Sequence, residues 1–214
     1  MFVISGFVIG FVCLCISCDT NPGAPEILFS ETFENGYDNT WDIGTHHTVT
    51  FPLLTSLTGG MPSASGTYAC SLYNVNTVTD PLAQAVHCDL VSMSPQFIRF
   101  YVRAGQTGHL GAYIVFWEAG SPGTPGIYVS IAGNDYFFAN STQVTAQGAI
   151  TANTWYKVEL RRISFTDHTY DLYIDDVLVC PGQGFSATTN ALSAVELYNW
   201  DADTQFYFDD ILVY

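Results

Sequence analysis

The sequence predicts an all-β protein made of two packed antiparallel sheets, a β-sandwich of the jelly-roll kind. Short runs rich in β-branched and aromatic residues recur along the chain and are bounded by Gly, Pro, Asn and Asp. No segment of useful length has the periodicity of an amphipathic helix. Many short strands without intervening helices are typical of two antiparallel sheets that share one core.

The candidate strands follow one another from residue 26 to the end of the chain. They are 26–34, 66–74, 83–91, 96–104, 110–118, 126–133, 135–140, 155–163, 169–174, 177–180, 194–200 and 205–213. The segments between them contain turn formers, such as TGGMPSASG, SPGTPG and CPGQG.

Alternation along these segments separates two faces. In WYKVELRRI (155–163), the residues at 156, 158 and 160 share one face, and the other face carries Trp155, Lys157, Glu159 and Arg161. The segments 96–104 and 194–200 alternate in the same way. Each of these strands therefore has one apolar face for the core and one face that mixes aromatic with charged side chains.

Residues 1–18 are predicted to be a targeting segment, 19–25 a linker and 26–214 the folded domain. Residues 2–16 are uniformly apolar or small, a run shorter than the roughly 20 residues of a membrane-spanning helix. The run ends at Cys15-Ile16-Ser17-Cys18, which resembles a bacterial lipobox with Cys18 as the lipidated residue. A lipoprotein signal, a cleaved signal peptide and an uncleaved N-terminal anchor all stay open. Each of them predicts an exported domain, either a cell-envelope lipoprotein or a secreted protein.

The charge balance restricts the kinds of partner. The chain has 20 Asp and Glu against 5 Lys and Arg, and a formal net charge of −15. Nucleic acids and anionic membrane surfaces are bound through basic patches. We therefore expect no nucleic-acid partner, and membrane attachment only through the N-terminal segment or its lipid.

Three cysteines lie within the predicted domain: Cys70, Cys88 and Cys180. In an exported protein one pair of these cysteines can form a disulfide. The simplest pairing is Cys70–Cys88, with Cys180 as a free thiol. Buried, unpaired thiols are the alternative.

Three segments carry patterns of a known fold. WYKVELRRISFTDHTYDLYIDDVLV (155–179) contains a W-x-x-V strand and then a hairpin of the form Y-x-L-Y-x-D-G, with Asp175-Asp176 in place of Asp-Gly. ETFENGYDNTWDIG (31–44) and FYFDDILV (206–213) have the form of a first and a closing strand. These segments resemble the concanavalin A-like lectin/glucanase superfamily, especially its laminin-G-like jelly rolls, and MAM-type and carbohydrate-binding modules. The resemblance implies the fold, because the superfamily hosts lectins, hydrolases, lyases and adhesion modules alike.

The resemblance also implies a structural Ca²⁺ where the first and last strands lie side by side. The residues with suitable oxygens there are Glu31, Glu34, Asn35, Asp209 and Asp210. Since Ca²⁺ takes ~6–8 oxygen ligands, two side chains with backbone carbonyls and water suffice. The alternative is that Asp209 and Asp210 straddle the closing strand, one solvated and the other capping backbone donors.

All five basic residues lie on two candidate strands, and four of them share a face with Phe97, Tyr101 or Trp155. Aromatic rings stack on the apolar face of a sugar, and cations bind uronate or sulfate groups. The predicted ligand-binding residues are Phe97, Arg99, Tyr101, Arg103, Trp155, Lys157, Arg161, Tyr198 and Trp200, and the predicted ligand is a polysaccharide, with anionic glycans as candidates. The alternative is that the few cations pair with neighbouring Asp and Glu.

These features favour a non-catalytic, lectin-like domain that binds a glycan and is stabilised by calcium. The sequence contains none of the strand motif Glu-x-Asp-x-x-Glu, the G-x-S-x-G elbow or the H-E-x-x-H motif. Two alternatives stay open: a structural or adhesion sandwich that binds protein or matrix, and a polysaccharide hydrolase or lyase with an unrecognised site.

Overall fold

The computed structural model describes residues 25–43, 47–53, 66–74, 86–118, 124–132 and 134–214. The predicted targeting segment with Cys18, and the linker up to residue 24, lie outside these residues. The described chain forms fifteen strands and one 3-10 turn, Thr145–Gln147. The strands are β1 (Phe29–Glu31), β2 (Asp42–Ile43), β3 (His47–Thr50), β4 (Cys70–Asn74), β5 (Val86–Met93), β6 (Phe97–Ala104), β7 (Gly111–Glu118), β8 (Pro125–Ile131), β9 (Phe137–Ala139), β10 (Thr142–Gln143), β11 (Trp155–Ser164), β12 (Thr169–Ile174), β13 (Val177–Gly184), β14 (Leu192–Tyr198) and β15 (Thr204–Val213).

The strands form two antiparallel sheets. The eight-stranded sheet has the order β13-β12-β11-β6-β15-β4-β3, and β1 also pairs with β15. The seven-stranded sheet has the order β10-β9-β8-β7-β14-β5-β2. The predicted fold class, a two-sheet antiparallel sandwich of the jelly-roll kind, is confirmed. Among the described residues, no helix is both long and apolar enough to cross a bilayer.

The core lies between the two sheets and takes one face of each. The eight-stranded sheet contributes Phe100, Val158, Leu172 and Phe208, and the seven-stranded sheet contributes Ile114, Phe116, Ile127 and Val195, all of them fully or almost fully buried. The predicted alternation in 96–104, 155–163 and 194–200 is therefore present, with the plain apolar face directed inward.

The first candidate strand is shorter than the sequence suggests. Only Phe29–Glu31 of residues 26–34 is a strand, because the chain turns after it. The turn is held by the buried carboxylate of Glu31, which accepts hydrogen bonds from the backbone N–H groups of Phe33, Asp38 and Asn39. The strands β2, β3 and β10 were not predicted, since two to four residues are too few to show alternation.

A β-bulge explains why the closing strand carries two adjacent carboxylates. The register of β15 against β6 shifts between Asp209 and Leu212, and Asp210 has a φ of 45°. Phe208 and Ile211 can therefore both face the core although they are three residues apart. The bulge also marks a change of neighbour, because β15 pairs with β4 up to Phe208 and with β1 from Ile211 onward.

The predicted disulfide between Cys70 and Cys88 is wrong. Both residues are buried free thiols. Cys70 lies on β4 of the eight-stranded sheet and Cys88 on β5 of the seven-stranded sheet, and each packs in the core as a small apolar side chain. The alternative interpretation of the cysteines, buried unpaired thiols, is the one that the structure supports.

Candidate functional site

Each sheet has an outer face that points away from the core. We call the outward side chains of β6, β11, β12 and β15 the eight-stranded face; they include Arg99, Tyr101, Arg103, Trp155, Lys157, Glu159, Arg161, Tyr173 and Tyr207. We call the outward side chains of β7, β8 and β14, together with the next aromatic residue along the chain, the seven-stranded face. They are Tyr113, Val115, Trp117, Tyr128, Ala194, Glu196, Tyr198 and Trp200.

Three tyrosine rings of the eight-stranded face lie under the chain's own arginines. The guanidinium carbon of Arg103 lies 4.5 Å from the ring centroid of Tyr207, and that of Arg161 lies 4.1 Å from the ring centroid of Tyr173. Tyr101 and Trp155 are only 4% and 8% exposed. This face therefore offers little open ring surface to a ligand.

The cations of the eight-stranded face are also engaged. Lys157 Nζ lies 2.6 Å from Asp176, and Arg161 lies 2.5 Å from Glu159. Arg103 donates a hydrogen bond of 2.6 Å to the side-chain oxygen of Asn153. The same pattern continues between β11 and β12, where Arg162 pairs with Asp171. Most of the positive charge is thus neutralised within the molecule.

The seven-stranded face is an aromatic surface without such covering. Tyr113 and Tyr198 stack with their ring centroids 4.5 Å apart and their planes 5° apart, and Tyr128 lies 6.2 Å from Tyr113. Val115, Trp117, Ala194 and Tyr198 form its buried floor, on which Tyr113, Tyr128 and Trp200 pack half-buried. All five Lys and Arg of the chain lie on β6 and β11, so none lies on this sheet.

Trp200 is held in place by the turn that follows β14. The buried side chain of Asn199 donates to the carbonyl of Leu72 at 2.7 Å, and Asn74 donates to the carbonyl of Trp200 at 3.2 Å. Asp201 accepts a hydrogen bond of 2.8 Å from the backbone N–H of Leu110. The turn is therefore bonded to strands of both sheets, which fixes the position of the indole at one end of the face.

A charged cluster adjoins the aromatic surface on β5 and β14. His87 Nδ1 lies 2.8 Å from Glu196 Oε1, and His87 Nε2 lies 3.1 Å from Asp89 Oδ1. A neutral imidazole donates from one nitrogen only, so with both carboxylates ionised the two contacts are both hydrogen bonds only when His87 is an imidazolium. Burial lowers the pKa of His87, but the hydrogen bonds to Asp89 and Glu196 outweigh burial, and the net direction is upward.

Glu196 is the buried member of this cluster. Burial raises its pKa, and the hydrogen bond from His87 and the nearby indole of Trp117 partly oppose that rise. Its second oxygen and the Trp117 indole nitrogen are both buried and make no hydrogen bond of good geometry with a described residue. Glu196 therefore adds a buried carboxyl with a raised pKa to an aromatic surface that no Lys or Arg covers, and the two features together make this face the candidate site of the molecule.

The structure divides the nine predicted ligand-binding residues between the two sheets. Phe97, Arg99, Tyr101, Arg103, Trp155, Lys157 and Arg161 belong to β6 and β11. Tyr198 ends β14 and Trp200 follows it, on the opposite sheet. The nine predicted residues therefore do not form one site, because alternation tells which residues point the same way along one strand but not which sheet a strand joins.

The sequence interpretation overlooked Tyr113, Trp117 and Tyr128. The first two alternate with core residues in GAYIVFWE, and Tyr128 does so in the following strand. The same alternation that identified the other strands was thus present here. Only the pairing of β7 with β14 and β8 shows that these rings lie together.

Of the residues predicted to bind calcium, Glu31 does not fit a metal ligand. It is fully buried, and its two oxygens accept five hydrogen bonds from N–H donors, including one of 2.7 Å from the Trp41 indole. Oxygens surrounded by N–H groups are occupied and face partial positive charges, which a cation avoids. Its role in the structure is to fold the turn after β1.

The remaining predicted ligands lie near the bulge of β15 or in the turn after β1. Glu34 Oε1 accepts hydrogen bonds from the backbone N–H groups of Thr67 and Tyr68, and Asn35 is exposed. Among the described residues, one buried oxygen of Asp209 has no hydrogen-bond partner, and the pKa of Asp209 is raised to about 8 by burial and by Asp210. No group of three or more His, Cys, Asp or Glu among the described residues is arranged to hold a metal ion. Calcium therefore stays a prediction.

Comparisons with known proteins agree with the fold. No family model and no curated protein matches the sequence. A sialidase matches with a TM-score of 0.58 and 11% identity over 80% of this chain, which spans only 19% of that protein. The globular domain of T. cruzi calreticulin matches with a TM-score of 0.57 and 13% identity over 88% of both chains.

A third similar structure is domain 4 of AbnA, a GH43 extracellular arabinanase from Geobacillus stearothermophilus, solved in complex with arabinotriose. Its TM-score is 0.50 and its identity 18%, over 88% of this chain and 92% of that domain. At such identities the likeness shows the fold alone. By its strand order and by these neighbours, the chain is a jelly-roll β-sandwich.

Proposed function

We propose that this chain is a non-catalytic carbohydrate-binding domain of an exported protein, and that it binds polysaccharide on the seven-stranded face. One observation carries the proposal. Half-buried rings of Tyr113, Tyr128 and Trp200 lie on a rigid aromatic floor and are not covered by any Lys or Arg. Open aromatic surface on one side of a soluble domain marks a binding site.

The kind of ligand follows from the chemistry of this face. Aromatic rings supply broad apolar contact for the C–H face of a sugar, and few polar groups set its orientation. Here the polar groups are the carboxylates beside His87, which accept hydrogen bonds from hydroxyl groups. Domain 4 of AbnA, which shares the fold, was solved with arabinotriose, and this supports the same class of ligand.

An anionic glycan was the expectation from the clustered cations on β6 and β11. Since Lys157, Arg161 and Arg162 are ion-paired within the chain, they leave little net positive charge for a uronate or a sulfate. We therefore propose a neutral polysaccharide and include anionic glycans in the test below.

We also propose that the protein is exported and that it binds a calcium ion. The apolar segment at residues 2–16 and Cys18 support an exported, lipidated or secreted protein. The unpartnered oxygen of Asp209 beside Asp210 supports a cation at the bulge of β15, with backbone carbonyls and water completing the ligands. Such a cation would join the last strand to the turn after β1.

Polysaccharide cleavage is the second candidate, because Glu196 is a buried carboxyl with a raised pKa on an aromatic face. Two catalytic carboxyls of a glycosidase face one another across open space. Here the ring of His87 lies between Glu196 and Asp89 and contacts both. We therefore expect binding without the release of reducing ends.

The binding proposal is tested with a glycan array and with titration calorimetry on the hits. We expect the wild type to bind a neutral polysaccharide, and Trp200→Ala and Tyr113→Ala to weaken that binding at least about tenfold, which equals 1.4 kcal/mol. The matched control is Tyr173→Ala, which removes a half-buried tyrosine from the eight-stranded face.

Two results would contradict this proposal. If the wild type bound no glycan on the array, the proposed function would be contradicted. Loss of binding in Tyr173→Ala but not in Trp200→Ala would move the site to the opposite sheet.

The calcium proposal predicts that a chelator lowers the melting temperature of the wild type but not that of Asp209→Ala/Asp210→Ala, because a ligand bound to the folded state stabilises it. The control is Asp175→Asn/Asp176→Asn, a second adjacent pair of aspartates, which should stay sensitive to the chelator. An unchanged wild-type melting temperature would count against the site.

A further inference from the structure

A cleft opens at the edge of the seven-stranded sheet, next to the charged cluster. Its volume is about 470 Å³, and its lining includes Leu28, Asp42, His87, Asp89 and Val91. Its size is in the usual range for small-ligand sites, which is ~300–1,000 Å³. It combines apolar side chains with a small number of carboxylates, as sites for small polar ligands do.

The cleft is continuous with the aromatic surface. Strand pairing aligns Asp42, His87, Glu196, Val115 and Tyr128 in one row across β2, β5, β14, β7 and β8. Neighbouring strands are ~4.8 Å apart, so the row spans roughly 19 Å from the tyrosine to the cleft. A chain-like ligand lying across the strands on the aromatic rings would therefore reach the cleft with one end.

The charge of the cleft restricts what can enter it. Asp89 and Glu196 contact the imidazole of His87, Asp42 lines the same cleft and pairs with His87 across β2 and β5, and this sheet carries no Lys or Arg. Two carboxylates remain in excess when His87 is protonated. Carboxylates accept hydrogen bonds from hydroxyl groups and repel uronate or sulfate.

Asp89 is the group best placed to contact a ligand. Its side chain is 92% exposed, and only its Oδ1 faces His87, at 3.1 Å. His87 is held from the other side by the buried Glu196 at 2.8 Å. The contact with His87 reduces the freedom that this acceptor loses on binding, which favours affinity.

We infer that this cleft is the end subsite of the glycan-binding face, in which Asp89 and Asp42 accept hydrogen bonds from the hydroxyls of one uncharged sugar residue, and His87 is the positioning residue that holds Asp89. The inference rests on the proposed function and makes it more specific. It assigns the charge class of the ligand and the end of the face at which its terminal residue binds.

The test uses titration calorimetry of the full chain with xylohexaose and arabinotriose as neutral probes and trigalacturonate as the anionic probe. We expect Asp89→Asn to weaken the binding of the better neutral probe about tenfold, as the loss of one hydrogen bond to a charged group does. The matched control is Asp176→Asn, an aspartate that is 68% exposed and ion-paired on the opposite sheet, and it should bind like the wild type.

A pH series tests the positioning role of His87. Glu196 on β14 and Asp89 on its own strand contact its ring, and Asp42 is its partner residue on the adjacent strand β2. Affinity of the wild type should fall as the pH rises from 6 to 9 and His87 loses its proton, while Asp89→Asn and His87→Gln should show no such fall. A purely structural role of His87 would leave the pH profile of Asp89→Asn the same as that of the wild type.

The outcomes separate this inference from the proposed function. Binding of the neutral probe by Asp89→Asn with wild-type affinity, together with its loss in Trp200→Ala, would overturn the end subsite and leave the function standing. Tighter binding of trigalacturonate than of both neutral probes would overturn the inference that the sugar in the end subsite is uncharged. Absence of binding of all three probes and of every glycan on the array would overturn both.

Discussion

Two buried glutamates show how neighbouring atoms decide the role of a side chain. Glu31 is fully buried and accepts five hydrogen bonds, so its carboxylate is a structural centre for the turn after β1. Glu196 is 6% exposed, accepts a hydrogen bond at one oxygen only and lies on an aromatic outer face. A buried carboxylate with an incomplete set of partners is costly to the fold, which is a reason to look for function there.

At the residue scale, His87 predicts how stability changes with pH. Because its pKa is raised in the folded state, its contribution is complete below the unfolded pKa of about 6.5 and is lost as the pH rises through the raised value. We expect the difference in unfolding free energy between the wild type and His87→Gln to be largest near pH 5.5 and to shrink at alkaline pH. Urea unfolding from pH 5.5 to 9 measures it, and a difference that does not vary with pH would contradict the bridging imidazolium.

At the element scale, three pairs of adjacent charged residues lie where a strand is irregular or ends: two lie at β-bulges and one forms a hairpin turn. Asp209-Asp210 and Arg161-Arg162 lie at register shifts of β15 and β11, with φ of 45° at Asp210 and 54° at Arg162. Asp175 and Asp176 have φ of 49° and 67° and form the two-residue turn between β12 and β13. Positive φ at both turn residues is the type I′ geometry of tight hairpins, and the sequence interpretation of a tight turn at Asp175-Asp176 agrees with it.

The bulge of β11 predicts an unusual order of stability among variants. At position 162 we expect Arg162→Gly to be more stable than Arg162→Val by about 1–2 kcal/mol, because a left-handed backbone suits Gly and strains a β-branched residue. Both variants lose the pair with Asp171, so this loss cancels in the comparison. Urea unfolding measures the difference.

The control is the neighbouring position, where φ is not positive. There Arg161→Val should be more stable than Arg161→Gly, as in an ordinary strand. The same order at both positions would show that no bulge is present at Arg162.

At the scale of the whole molecule, the sandwich separates two kinds of outer face. One sheet carries all five Lys and Arg and covers its own aromatic rings with them. The other carries no Lys or Arg and leaves Tyr113, Tyr128 and Trp200 half-buried. This separation, more than any single residue, distinguishes the face that can bind a ligand from the face that is closed.

The sandwich also predicts the chemistry of the cysteines. Burial raises the pKa of Cys88 to about 11 and raises that of Cys70 as well, so neither is a reactive thiolate at neutral pH. We expect both peptides to be alkylated after denaturation without a reductant, as shown by mass spectrometry, and the melting temperature to be the same with and without a reductant. A Cys70–Cys88 cross-linked peptide in the unreduced digest would contradict the structure.

Local patterns in the sequence were sufficient for the fold class, for most of the strands and for the inward face of each. These follow from period-2 alternation and from turn residues, which act over a few neighbours. The spacing of three residues between the core residues Phe208 and Ile211 indicates a bulge, because alternation alone would place them on opposite faces. From the sequence, the two aspartates between them were instead interpreted as metal ligands. The very short strands and the turn around Glu31 depend on contacts that short patterns do not contain.

What the sequence by itself determined about this protein is therefore its all-β class, its apolar core faces and the presence of aromatic residues opposite that core. Only the tertiary structure decided which strands are neighbours, that Tyr198 and Trp200 lie on a different sheet from Trp155, and that the cations cover the aromatic rings of one sheet alone. The physical reason is that alternation acts along a single strand, whereas a binding face is made across strands that are far apart in the chain.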